Sequence, residues 1–232
     1  MFPKTRMGVP DMQYPGPEPS DLENVRALNR VFLDLVARDG SPRAILQNLP
    51  DGMGERLAGL GPKRAERLAG VPFMLFSLRE RDDDYWELLL APGDTPDLFL
   101  PAPEPDAGTG KLAAAGLGFA WQLARRNAYA LRLLSGASLH WCEEIAARPL
   151  VDLLSRAASR PDVIELRCGH SVPFWAKLLD RGTSGRRDIR VAAHLTAWQQ
   201  ILTPEPARTG VWASAACRSR VPSLEVADKR RR

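Results

Sequence analysis

Leu22, Val25, Leu28, Phe32, Leu35 and Val36 recur at spacings of three and four, which predicts one apolar stripe of a helix. Ser20 and Asp21 offer an N-cap, and Glu23 stands at capping-box distance from Ser20. Asp39-Gly40-Ser41-Pro42 ends the stripe, and Pro42 can open a second helix through Ile45 and Leu46. After the turn Leu49-Pro50-Asp51-Gly52, Met53, Leu57 and Leu60 carry a helix to Gly61-Pro62. The proline restarts it through Ala65 and Leu68. The apolar run from Val71 to Leu78 fits either a short buried strand or a helix turn. Asp82-Asp83-Asp84 then caps a helix holding Tyr85, Trp86, Leu89 and Leu90.

The pattern then starts again. A helix is predicted from Leu112 to Leu134, a break at Ser135-Gly136, a helix from near Ser138, and a joint at Pro149. Asp162 to Cys168 alternates polar and apolar residues, which predicts a strand. A late helix holds Phe174, Trp175, Leu178 and Leu179, and a last one runs from Ile189 to Leu202. Shifted by 88 residues, Leu35 meets Leu123, Arg38-Asp39 meets Arg126-Asn127, and Leu57-Ala58 meets Ile145-Ala146. One inserted residue later, Trp86, Leu89 and Leu90 meet Trp175, Leu178 and Leu179. The fold expected is mostly α: two helical repeats, residues 20–91 and 111–203, each with room for one short strand. They are joined by an acidic, proline-rich linker, residues 92–110. A proline-broken arm, residues 1–19, precedes them, and a basic tail, residues 204–232, follows; both are expected to be disordered.

Charge changes this picture only when it is divided. The net charge of +4 equals that of the tail, so the rest is neutral. Within the rest, the first repeat carries −2 and the second +6. A basic second repeat suits an acidic partner such as DNA, and it also suits plain solubility. The candidate nucleic-acid contacts are Arg125, Arg126, Arg132, Arg186, Arg187 and Arg190, because paired arginines beside helix ends grip phosphate. The candidate partner-binding residues are Leu98, Phe99 and Leu100, an apolar triplet inside the linker. No apolar run approaches the ~20 residues that span a bilayer, so no membrane partner is expected. The first residues lack a signal's apolar core, which favours the cytoplasm.

Catalytic chemistry finds little support. His140, His170 and His194 lie in no recognisable catalytic motif, and there is no phosphate-binding glycine loop. His140, Cys142, Cys168 and His170 have the residue types of a zinc set. However, residues two apart on a helix point to different sides, so no metal and no cofactor is expected. Trp121, Trp141, Trp175 and Trp198 fall on apolar helix faces and read as core.

The segment from Met53 to Leu78, MGERLAGLG, then a helix ending RLA, then VPFMLFSLRERDD, resembles FlhD, the D subunit of the bacterial flagellar master transcriptional regulator. LNRVFLDLVARD resembles that family's first helix. LHWCEEIAAR, PLVDLLSRAA and VIELRC resemble the family more loosely. The resemblance implies a mostly helical, non-enzymatic protein of transcriptional control that binds a partner subunit and DNA. Family members pair as dimers, and a tandem chain can make that pair within itself. The partner subunit's zinc-bearing segment has no equivalent here. A helical adaptor without a nucleic-acid role is the alternative reading.

Overall fold

The computed structural model describes residues 15–38, 49, 52–91, 107–158 and 160–203. The chain divides into two units, Met1–Leu202 and Thr203–Arg232, and the second lies outside the described residues beyond Thr203. The helix expected through Ile45 and Leu46 also lies outside them.

The fold is mostly α. Among the described residues the helices are α1 (Pro19–Ala37), α2 (Met53–Ala58), α3 (Pro62–Ala69), α4 (Asp83–Leu90), α5 (Ala107–Ser135), α6 (Leu139–Ala147), α7 (Leu150–Ala158), α8 (Val172–Lys177) and α9 (Arg187–Leu202). A π-helical turn, Leu178–Gly182, extends α8. Two strands, β1 (Phe76–Ser77) and β2 (Glu165–Leu166), pair antiparallel, with Phe76 opposite Leu166 and Ser77 opposite Glu165. The open choice at Val71–Leu78 therefore resolves to a strand, though of two residues only. The alternation from Asp162 to Cys168 also yields just two, because Pro161–Val163 winds into a 3-10 turn first.

Several boundaries differ from those the pattern predicts. Helix α1 starts one residue before Ser20, with Glu18 as its N-cap, and the Glu18 amide donates to Asp21 Oδ2 at 2.9 Å. Asp21, rather than Glu23, closes the first turn because it is buried and Arg126 bonds to its other oxygen. Helix α5 begins at Ala107, inside the stretch read as linker, and it breaks at Asn127 (φ −158°, ψ 88°). Asn127 restarts it as an internal cap, its Oδ1 accepting from the Ala130 amide at 3.0 Å. Other caps fall as expected: Ser138 accepts from the Trp141 amide and Asp82 from that of Tyr85. Asp82 thus serves as a cap.

The two stretches read as repeats share one core. Helices α1 and α5 lie antiparallel, since Arg126, at the end of the first part of α5, reaches Glu18 and Asp21 at the start of α1. Helices α2 and α3 pack on α1, and α6 and α7 pack on α5. The late helices cross over: α4 packs on α7, and the turn after α8 packs on α3. Trp86 of α4 stands edge-on to Trp141 of α6 at 5.4 Å, and Phe174 of α8 lies 6.2 Å from Phe73. Both crossings are held alike. Arg67 of α3 donates to the Thr183 carbonyl, and Arg156 of α7 donates to the carbonyls of Leu89 and Ala91. Each guanidinium meets the carbonyl-rich end of a late helix, where the helix dipole favours a cation.

Two backbone corners also match. Among the described residues, Arg79 (φ 54°) and Cys168 (φ 50°) are the non-glycine residues with left-handed backbone, and they stand 89 positions apart. The indole of Trp86 donates to the Leu78 carbonyl at 3.1 Å, and that of Trp175 to the Arg167 carbonyl at 2.9 Å. Each donor reaches back eight residues across its corner.

At the centre of the core lies a charged pair. Arg167 and Glu80 are 4% and 1% exposed and meet at 2.7 Å. Arg167 also donates to the carbonyls of Met74, Phe76 and Ser135. Glu80 accepts from the Ser77 hydroxyl and the Leu78 amide, each at 2.7 Å. Every side-chain nitrogen of Arg167 and both carboxylate oxygens of Glu80 are thereby matched, the condition for burying charge at tolerable cost.

Candidate nucleic-acid interface

The sequence segments 53–69 and 177–190 hold nine basic and four acidic residues. Neither is remarkable alone, but the fold joins them. Gly61-Pro62 breaks the chain between α2 and α3, so α3 lies across the π turn. Arg64 donates to Thr183 Oγ1 at 3.0 Å and to the Leu179 carbonyl at 2.6 Å. Arg56 pairs with Asp180 at 2.5 Å. From the other side, His194 Nε2 hydrogen-bonds with the Gly182 carbonyl at 2.9 Å. The π turn leaves carbonyls without regular helical partners, and arginines of α3 and a histidine of α9 satisfy them.

These contacts use up part of the charge. Arg56, Arg64 and Arg67 hold the joint; Arg186 pairs with Asp188, and Arg190 donates to the Ser184 carbonyl. Glu66 is held down to about 2 by hydrogen bonding to Arg30, which outweighs its desolvation, with Arg26 adding to the effect. Lys63, Lys177, Arg181 and Arg187 remain exposed, and their side chains have no ion pair or hydrogen bond among the described residues. They surround the π turn on α3, α8, the turn itself and the start of α9. A surface of this kind can neutralise phosphates without reading bases.

The six arginines expected from the sequence do not form one patch. Arg186, Arg187 and Arg190 lie at this joint. Arg126 is tied to Glu18 and Asp21, and Arg125 stacks over Trp121 at 4.8 Å. Arg132 is exposed, but Trp198 bonds to the neighbouring Leu133 carbonyl. Arg187 is eleven residues back along α9, about 16 Å at 1.5 Å per residue. Lys63 and the α2–α3 arginines went unseen because the first repeat is net acidic. The signal that finds them is local: four basic residues within fifteen positions, against two acidic ones. Leu98, Phe99 and Leu100 lie outside the described residues.

Among the described residues no three His, Cys, Asp or Glu side chains are grouped to hold a metal. Cys142 is buried while His140, two residues away, is exposed. Burial above all pushes the Cys142 thiol up to about 12, with the Glu80 charge adding to it, which leaves it a poor nucleophile. Trp141 and Trp175 are buried, and Trp121 and Trp198 pack at the core's edge. No helix among the described residues is long and apolar enough to cross a membrane.

His194 gives this joint a pH dependence. Burial, aided by the nearby Arg190 charge, outweighs the Gly182 bond and holds the imidazole below its ordinary 6.5. A depressed folded value means that the unfolded chain binds the proton more readily. The contribution to stability is therefore complete above pH 6.5 and is lost as pH falls through the folded value. Urea midpoints measured at pH 7.5 and 5.5 should fall more steeply for the native chain than for His194→Gln; equal slopes would remove His194 from the account.

No family model, curated protein or solved structure matches this chain.

Proposed function

We propose that this chain is a regulatory protein similar to the flagellar D subunit. Both copies of the unit lie in one chain, paired as a pseudo-dimer, and it acts by protein association and by DNA contact. The tandem reading is supported by the matched corners at Arg79 and Cys168 and by the crossed arginine caps, Arg67 and Arg156, also 89 positions apart. Helices α1 and α5 start 88 positions apart, and α1 and the first part of α5 stop at the Arg38 and Arg126 that the sequence aligns. The DNA reading rests on one observation: four exposed, unpaired cations around a joint where α3 and α9 hydrogen-bond to the π turn. The contact would be to phosphate, with little sequence preference of its own, so selectivity would come from the partner.

Electrophoretic mobility shifts of the whole chain on pooled duplex fragments, across a salt series, test this. Lys63→Gln, Lys177→Gln, Arg181→Gln and Arg187→Gln together should lower affinity by about tenfold or more. They should flatten the log–log salt slope by about 3.6, at roughly 0.9 per phosphate contact. A second variant lacking residues 204–232 separates the tail's contribution. Binding that disappears with the tail and ignores the four glutamines would overturn the DNA reading.

No binding at all would favour the adaptor. The feature that speaks for it is a shallow groove, about 290 Å³, where Ala27, Leu28 and Val31 of α1 face Ala115 and Phe119 of α5, with the amides of Asn24 and Gln122 also lining it.

A further inference from the structure

The two halves are built alike around the sheet, but they are not interchangeable at its centre. At the offset of the matched corners, Arg167 occupies the position of Leu78, and Glu80 that of Gly169. One half supplies the buried guanidinium and the other the buried carboxylate. We infer that the Arg167–Glu80 pair is a pairing code: it makes residues 20–91 and 107–202 partners for each other and bars either from pairing with a second copy of itself. The inference rests on the tandem reading and not on DNA binding.

The contacts between the halves sort by whether they discriminate. The crossed caps of Arg67 and Arg156 and the two indole corners occur once in each half, so they would survive self-pairing. Asn29, which bonds to Ala69, Phe73 and Leu75, is satisfied inside its own half and is indifferent to the partner. Arg79 pairs with Glu165 across the halves, but both are partly exposed, so water can replace either. Arg167 and Glu80 are different. Two second halves together would enclose two guanidinium groups, each facing Gly169 where Glu80 now stands, with no carboxylate. Two first halves would enclose two carboxylates with no guanidinium. A buried charge without its partner is strongly unfavourable, so selectivity on the order of a hundredfold or more follows.

The code does not distinguish the partner in the same chain from the same half of another chain. The tether between the halves supplies that choice through effective concentration.

The test uses the full chain with a protease site placed within residues 92–106. The folded protein is cut, unfolded, refolded in one tube and weighed by native mass spectrometry, since the two halves differ in mass. The native sequence should refold only to the mixed pair. Glu80→Leu with Arg167→Leu should add both self-pairs and move the population toward the statistical mixture. Should that variant not refold, Glu80→Gln with Arg167→Met, closer in shape, carries the same expectation. Self-pairs already present in the native sequence would overturn the code while leaving the likeness of the halves standing. Self-pairs absent from the refolded charge-free protein would overturn the likeness, and the code with it.

Discussion

Arg167→Met alone is expected to destabilise the protein by about 3–5 kcal/mol, the usual cost of breaking a buried ion pair from one side. The substitution keeps most of the side-chain volume, so the loss is not a cavity. It strands Glu80, 1% exposed, and removes the donor from the carbonyls of Met74, Phe76 and Ser135. Against a total stability of roughly 5–15 kcal/mol, a protein near the lower bound would be largely unfolded. Replacing both charges, with Glu80→Leu beside Arg167→Met, should recover much of the loss, because an apolar pair pays no desolvation penalty for charge.

The pH dependence adds a second check. Burial works to raise the Glu80 carboxyl, but Arg167, Ser77 and the backbone outweigh it and hold the carboxyl below 4.5. In the native protein this contribution is present above pH 4.5 and is lost as pH falls through the folded value. Without Arg167, burial dominates and Glu80 favours its proton in the folded state. The difference between native and variant should therefore narrow as pH falls. Urea unfolding at pH 7 and pH 4 reads both effects; a loss under about 1 kcal/mol at pH 7 would mean that the site is wetter than its geometry indicates.

Trp86→Ala and Trp175→Ala should each cost about 3–5 kcal/mol, the range for removing a large buried aromatic ring. The two rings are 2% and 0% exposed and belong to one core. Their indoles also pin the two left-handed corners by bonding across them. Trp→Phe at either site keeps most of the ring volume and gives up chiefly the hydrogen bond, about 1 kcal/mol. Thermal unfolding of the four variants separates packing from pinning. Similar losses at both sites would mean that the corners are equivalent in energy as well as in shape. A silent Trp86→Ala beside an unfolding Trp175→Ala would show that the core depends on the second half alone.

Most helices were legible because helix periodicity is local. The stripe from Leu22 to Val36 needs only the 3.6-residue turn, and the caps at Asp82 and Ser138 need only a side-chain oxygen three residues before an amide. The start of α1 was misplaced because Arg126, more than a hundred residues away, stabilises Asp21 as the residue that closes its first turn. Asn127 breaks α5 because its side chain competes locally with the helix, a signal that the apolar stripe on either side concealed. The basic site was only partly legible. Charge summed over residues 20–91 hides the cluster on α2 and α3 beneath acids that lie elsewhere, such as Asp82, Asp83 and Asp84.

The sequence by itself determined the helical character and the turn positions. These are properties of neighbouring residues, whose spacing decides which side chains share a face. Tertiary structure alone decided what the arginines do. Arg67, Arg156 and Arg167 look equivalent in the sequence. Yet two close the ends of helices from the opposite half, and the third is buried against Glu80. A guanidinium is placed by where unpaired carbonyls and carboxylates come to lie, and only the folded chain brings those groups together.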